Sequence, residues 1–301
     1  MSCPFTIVDV FVDAGVGGNP LAVVFGGERL STQAMQHIAR EFNFSETTFV
    51  LPTTRQDADF QVRIFTPTKE VPFAGHPNLG TAFALLHRDN ITVPGELCFD
   101  EMAGLVPVTF DAANGDDVEL ELRAPESLNI GLAVSVEDIA GVLSLSPDDI
   151  DVQTHPPCEA SVGLPFLMCA LTSEAALDRV NIDLEGLRVL EHAGVTADIH
   201  CYYRRADDSI EARMFAPLDG VPEDPATGSA NGALAALLTQ RASRDGAFEF
   251  DIRQGFVMGR PSRLRVRTER ANGQVSAVFV GGRCRAFANG TLSAGSLSTG
   301  R

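Results

Sequence analysis

The sequence predicts an α+β fold of two similar domains, each an antiparallel sheet around a central helix, with an active site where the two helix starts face one cleft. Three observations predict it. The string RIFTPTKEVP, from Arg63, returns as RMFAPLDGVP, from Arg213, 150 positions later and with five of ten residues identical. Two copies at so long a period point to a duplicated domain rather than a solenoid. Each copy runs through a Gly/Pro-rich polar turn (FAGHPNLG; EDPATGSANG) into an alanine-rich stretch (TAFALLHR; ALAALLTQR) that is apolar on most faces, the mark of a buried helix. Strand-like runs outnumber helical ones and are joined by turns.

Residues 5–12 and 21–25 are β-rich runs joined by a glycine turn around Gly15, Gly17 and Gly18. Ser31 suits the N-cap of a short helix, TQAMQHIARE, with Met35, Ile38 and Ala39 on one face. Strands follow at 47–51 and 60–65. Pro77 occupies the N1 position favoured for proline, opening a helix over 78–88. Strands are expected near 91–99, at 105–110 and at 117–123. Ala124-Pro125-Glu126 marks the boundary between a first domain (1–124) and a second (125–283), the segment from about 284 to 301 packing back on the first. In the second, Ser135 or Ser146 opens short helices, 161–171 reads as one buried strand interrupted by proline, 174–192 carries a helix or two, and 197–203 is a strand. The repeated motif and its helix span 213–241. The rest alternates β-runs and turns (FEFDI, RLRVRTE, VSAVFVGG, RCRAFA) and ends in a small, polar, frayed tail, 293–301.

The 301 residues carry 23 Lys+Arg against 40 Asp+Glu, a net charge of −17. That argues against nucleic acid, which calls for clustered basic residues. It leaves room for a small anionic substrate, because backbone dipoles act locally. No apolar run approaches the roughly 18 residues of a membrane span, and the N-terminus reads at once as strand rather than signal peptide. The expected setting is cytoplasmic, with six scattered cysteines reduced and mostly buried. No nucleotide-binding or paired metal-ligand spacing occurs, so neither cofactor nor metal is expected.

Helix starts leave backbone N–H groups unpaired and partly positive. Two of them at one cleft would suit a carboxylate or a developing enolate, with Gly75, Gly80, Gly228 and Gly232 allowing close approach. Simple capping is the alternative at each. Glu46, in NFSETTF between the first helix and a strand, is either a solvated loop charge or a partly desolvated acid–base group. His76, before Pro77, is either a turn or N-cap histidine or a neutral imidazole making one hydrogen bond. Asp224 heads DPATGSA as an N-cap followed by an N1 proline, or binds a substrate amine, or orients His76. Ser229 supplies a hydroxyl to the cleft or caps the helix.

Together GNPLAVV (18–24), NFSETTFV (43–50), FTP…EVPFAGHPNLGTA (65–82), PEDPATGSANG (222–232), QGFVMGRPSR (254–263) and VFVGGR (278–283) resemble the PhzF-like family of phenazine-biosynthesis isomerases, in order and over nearly the whole chain. The resemblance implies a diaminopimelate-epimerase-like fold of two barrel-like domains with the site between them, no cofactor, and a homodimer. It implies Glu46 as catalytic acid and base, with His76, Asp224 and Ser229 as further catalytic side chains, and Gly75, Asn78, Thr227 and Gly228 as substrate-binding residues. In the family's reaction, a glutamate takes a proton from C3 of trans-2,3-dihydro-3-hydroxyanthranilate and delivers one to C1. Epimerases of the related fold use two thiols, one at each helix start. Here Gly75 and Thr227 stand near those positions, which favours one carboxylate over a thiol pair. Racemisation or dehydration of an amino acid in the same cleft, and a non-catalytic carboxylate-binding protein, remain the competing readings.

Overall fold

The computed structural model describes residues 2–89, 93–111 and 118–293. The expected tail, apart from Ser293, lies outside them, as do the first residues of the strands expected near 91–99 and at 117–123. The described residues form two compact units, one running to Arg123 and resuming at Gly281, the other from Ala124 to Val280.

In chain order the first unit holds β1 (Ser2–Val10), β2 (Asn19–Phe25), α1 (Thr32–Phe42), β3 (Glu46–Leu51), β4 (Phe60–Phe65), β5 (Glu70–Val71), α2 (Gly75–Asp89), β6 (Gly95–Glu101), β7 (Gly104–Phe110) and β8 (Glu119–Arg123). The second holds β9 (Asn129–Ala133), α3 (Val136–Val142), β10 (Cys158–Ser161), β11 (Pro165–Ala170), α4 (Glu174–Arg179), α5 (Leu184–His192), β12 (Ile199–Arg204), β13 (Ile210–Ala216), β14 (Val221–Asp224), α6 (Gly228–Gln240), β15 (Gly246–Gln254) and β16 (Ser262–Ala271). A last strand, β17 (Gln274–Ser293), begins in the second unit and ends in the first.

The first unit closes into an eight-stranded barrel. Its pairings run β17–β1–β2–β3–β4–β6–β7–β8 and back to β17. Closure leaves no bare sheet edge. Two neighbours, β2–β3 and β4–β6, are parallel, so each needs a crossover; α1 makes the first and α2 the second. Ser31 caps α1 by accepting from the Ala34 N–H at 3.2 Å, and Asn43 ends it in the left-handed region at φ 52°. Met35, Ile38 and Ala39 are buried, against Cys3, Val24, Phe49 and Phe65.

Helix α2 is buried without a break from His76 to Leu86 and packs on β1, β2, β3, β7 and β8. Gly80 permits this: a Cβ there would sit 2.6 Å from Leu21 Cδ2 and 2.8 Å from Val10 Cγ2. The hydroxyls of Thr48 and Thr81, 2.8 Å apart and buried, tie β3 to α2.

The second unit repeats the pattern of pairings. Strands β10–β11 are antiparallel, β11–β12 parallel, β12–β13 antiparallel, β13–β15 parallel and β15–β16 antiparallel, as in β1–β2–β3–β4–β6–β7. Strand β14 flanks β13 as β5 flanks β4. Helix α6 takes the place of α2, packed by β10, β11, β15 and β16.

Several local expectations are corrected. Residues 161–171 are a hairpin, not one strand: β10 ends at Ser161, the chain turns through Gly163, and Pro165 opens β11, where a missing N–H costs least. Both Ser135 and Ser146 cap, the first α3 and the second a single 3-10 turn, Pro147–Asp149. VSAVFVGG and RCRAFA belong to the one strand β17, whose glycines pack on a neighbour instead of breaking it: a Cβ on Gly281 would sit 2.7 Å from the Leu120 carbonyl.

Candidate active site

In the first unit the repeated arginine shapes the approach to α2. Arg63 of β4 forks onto Glu70 of β5, both contacts 2.7 Å, and reaches Thr32 Oγ1 at 3.0 Å. This bidentate geometry pins the turn that leads into the helix.

Glu46 is the first residue of β3 and lies opposite Leu21 on β2, not in a loop. Helix α2 begins at Gly75, so His76 is its second residue rather than its cap, and Pro77 its third. The two side chains meet: Glu46 Oε2 lies 3.6 Å from His76 Nε2, with the side chains 18% and 6% exposed. Burial pushes the His76 imidazole down to about 3, so it is neutral at ordinary pH. The contact is therefore a carboxyl group beside a neutral ring rather than an ion pair. Asn78, two residues on and fully buried, donates from Nδ2 to the Ala74 carbonyl at 3.1 Å, bracing the turn that presents Gly75.

The second unit builds its helix start by the same means. Arg213 of β13 forks onto Glu223 of β14 at 2.8 and 2.9 Å, and its Nη1 reaches the carbonyls of Leu177, Asp178 and Val180 at the end of α4. Asp224 ends β14 and does not cap α6. Thr227 is the residue before the helix, and its hydroxyl lies 2.5 Å from Asp224 Oδ2. Gly228 and Ser229 are the first two residues of α6.

Behind Asp224 lies a buried network whose donor directions are determined by two backbone carbonyls. Asn231 Nδ2 contacts the Thr227 carbonyl at 3.0 Å, and Gln254 Nε2 contacts the Asp224 carbonyl at 2.8 Å. A carbonyl only accepts, so both atoms are amide nitrogens. Gln254 Oε1 then accepts from Asn231 Nδ2 at 2.7 Å and from the Thr227 N–H at 3.3 Å. Gln254 Nε2 also donates to Thr227 Oγ1 at 3.1 Å, which leaves the Thr227 proton for Asp224. Asn231 Oδ1 accepts from His200 Nε2 at 3.0 Å. His200 is fully buried and neutral, pushed down to about 4 by burial. The directions run one way, from His200 to the Asp224 carboxylate.

Glu46 and His76 are thus brought together in the first unit, beside Gly75 and Asn78. Asp224 and Thr227 are brought together in the second, beside Gly228 and Ser229. The sequence reading did not assign Asn231, Gln254 and His200. Asn231 was legible, since it follows Gly228 as Asn78 follows Gly75; Gln254 opened a quoted motif whose role no local pattern reveals. The cysteines lie on β1, β6, β10, β11, β12 and β17, none on α2 or α6. Among the described residues no group of three or more His, Cys, Asp or Glu is placed to hold a metal ion, and no described helix is long and apolar enough to cross a membrane.

Among known proteins similar to this chain, several are named as isomerases. An uncharacterized isomerase from Mesorhizobium japonicum is 35% identical over 297 residues, covering 96% of this chain and 98% of its own. A trans-2,3-dihydro-3-hydroxyanthranilate isomerase from Pseudomonas aeruginosa is 37% identical over 287 residues, covering 95% and 98%. The family model for the PhzC-PhzF group, phenazine biosynthesis-like protein, matches residues 8–290. The chain belongs to this family and is an isomerase. The crystal structure of a PhzF-family phenazine biosynthesis protein from Bacillus anthracis shares the fold, with a TM-score of 0.87 at 24% identity over 97% of this chain and 99% of that one.

Proposed function

We propose that this isomerase moves a proton between two carbons of a small cyclic carboxylate without a cofactor, with Glu46 as the single acid and base. The observation that carries the reading is the contact of Glu46 Oε2 with the neutral His76 ring at a buried helix start. A neutral imidazole does not quench a carboxylate, and it offers a directed hydrogen bond to the substrate or to Glu46. One carboxylate has two oxygens, and a ring held against it brings two carbons within reach on one face. The backbone N–H groups at the start of α2 would receive the substrate's negative charge. Asp224, accepting from Thr227, suits a substrate amine or hydroxyl, and Ser229 and Gly228 belong to the same reading of the second helix start. A thiol-pair racemase gains no support, because no cysteine lies on either helix.

The substrate class follows the Pseudomonas aeruginosa relative, named for trans-2,3-dihydro-3-hydroxyanthranilate. The test incubates the protein and Glu46→Gln with that compound in deuterated water and follows the ring protons by NMR. Wild-type protein should isomerise it with deuterium entering one carbon, and the variant should lose about 10²–10⁴-fold in rate while keeping its fold. A fully active variant removes Glu46 from the mechanism. A folded but silent wild type removes this substrate.

A further inference from the structure

The duplication extends past the helix starts. Gly75 and Gly228 open α2 and α6, Asn78 and Asn231 follow three residues later, and Glu101 and Gln254 end β6 and β15; each pair is 153 positions apart. Each asparagine donates from Nδ2 to the carbonyl four residues earlier, Ala74 or Thr227. In the second unit Gln254 backs this asparagine with an amide that both accepts and donates. In the first unit the residue at that place is a carboxylic acid.

Glu101 is 8% exposed, and both its carboxyl oxygens are buried without a hydrogen-bond partner. The Asn78 amide is its polar neighbour. One Nδ2 proton of Asn78 is used on the Ala74 carbonyl and the second is left for the carboxyl, just as Asn231 Nδ2 serves both the Thr227 carbonyl and Gln254 Oε1; Asn78 Oδ1 is buried without a partner. An ionised Glu101 would bury a full charge with a single amide N–H as its counterpart. One proton on Glu101 removes the buried charge and still leaves a carbonyl oxygen to accept from Asn78 Nδ2, as Gln254 Oε1 accepts from Asn231.

We propose that Glu101 is a positioning residue held as the neutral acid, which braces Asn78 and hence the Ala74–Gly75–His76 turn, as Gln254 braces Asn231. Its bearing on catalysis rests on the reading of Gly75 and His76 given above; its protonation does not. Burial raises the carboxyl to about 8, with the Asn78 amide acting in the opposite sense. Ionisable side chains on the elements around it are His76, His87, Arg88 and Asp89 of α2, Glu96, Cys98 and Asp100 of β6, Arg63 of β4 and Glu70 of β5. Burial and the amide, not these groups, set its protonation.

The linkage sign follows. A carboxyl whose folded value is raised binds more protons folded than unfolded, so its ionisation erodes stability as pH rises from about 4.5 to about 8 and adds no further change beyond. Glu101→Gln keeps the acceptor and removes the charge permanently. Urea midpoints of wild type and Glu101→Gln should diverge over that window in favour of the variant and run parallel on either side. In unliganded wild-type protein the Gly75 and His76 amide resonances should titrate together with a midpoint near 8, and in Glu101→Gln they should be still. Parallel urea curves throughout, resonances that titrate alike in both proteins, or a Gln variant that fails to fold at pH 5 would each overturn the proposal. None of these readouts needs a substrate, so the proposed reaction can fail while this device stands, or the reverse.

Discussion

At Thr227 one hydroxyl proton sets how Asp224 is presented. Gln254 Nε2 donates to the hydroxyl, so the hydroxyl donates onward, and Asp224 Oδ2 is held as an acceptor. Thr227→Val keeps the shape and removes that bond, leaving a Gln254 N–H and a carboxylate oxygen each short of a partner. A hydrogen bond to a charged group contributes about 1.5–3 kcal/mol. If Asp224 binds substrate, the loss should fall on KM, by about 10–100-fold with kcat little changed, and Thr227→Ser should restore it. An unchanged KM in Thr227→Val would show that Asp224 needs no such orientation. The candidate residues were legible as candidates: a motif string pointed to Glu46, and motif strings and duplication together to His76, Asp224 and Thr227. Their supports were not: His200, Asn231 and Gln254 are spread over β12, α6 and β15, and only the fold brings them together. Glu101 gave no signal at all, since a glutamate at the end of a strand reads as surface charge until its burial is known.

The repeated arginines act at the scale of the element, where each clamps the short strand preceding a central helix. Their acid partners do not occupy the same place in the repeat: Glu70 precedes the Val-Pro pair and Glu223 follows it, so sequence alignment of the copies does not reveal the clamp. The two clamps also differ in depth. Arg213 and Glu223 side chains are 9% and 16% exposed, and Arg213 serves three carbonyls at the end of α4 as well. Arg63 and Glu70 are 23% and 20% exposed, with Thr32 the further partner. A lysine offers one ammonium and cannot serve a fork and a row of carbonyls together. Arg213→Lys should therefore cost about 2–3 kcal/mol in urea unfolding, and Arg63→Lys about 1 kcal/mol, nearer a surface pair. Equal losses would mean that burial of the clamp is not what counts. Element order and the buried central helices followed from periodicity and composition. Boundaries were harder. Pro77 and Pro225 both resemble N1 prolines, yet α2 begins two residues before the first and α6 three residues after the second; in both, an asparagine three residues into the helix bonds the carbonyl just before its start.

Over the whole molecule, buried ionisable groups give stability an acid limb that surface charge alone does not. His76 and His200 are neutral when folded, pushed down to about 3 and about 4 by burial, against an ordinary value of 6.5. Between those values the unfolded chain binds more protons than the folded one, so stability falls as pH drops from about 6.5 toward 4. Glu101 has the opposite sign, gaining stability as pH drops from about 8 to about 4.5. The two slopes oppose each other near pH 5–6 and separate outside it, and substitutions can pull them apart. His200→Gln retains an N–H for Asn231 and removes the titration. Relative to wild type it should leave the pH dependence unchanged above about 6.5 and flatten the acid limb by on the order of 3 kcal/mol down to pH 4, read from urea unfolding at a series of pH values. If His200 instead carries its proton in the folded protein, the two curves will stay parallel through that range. The one-way run of hydrogen bonds from His200 to Asp224 needs only the Nε2 proton, and Nδ1 is buried without a partner to receive a second one, so a neutral ring anchors the network and the flattened acid limb is its signature.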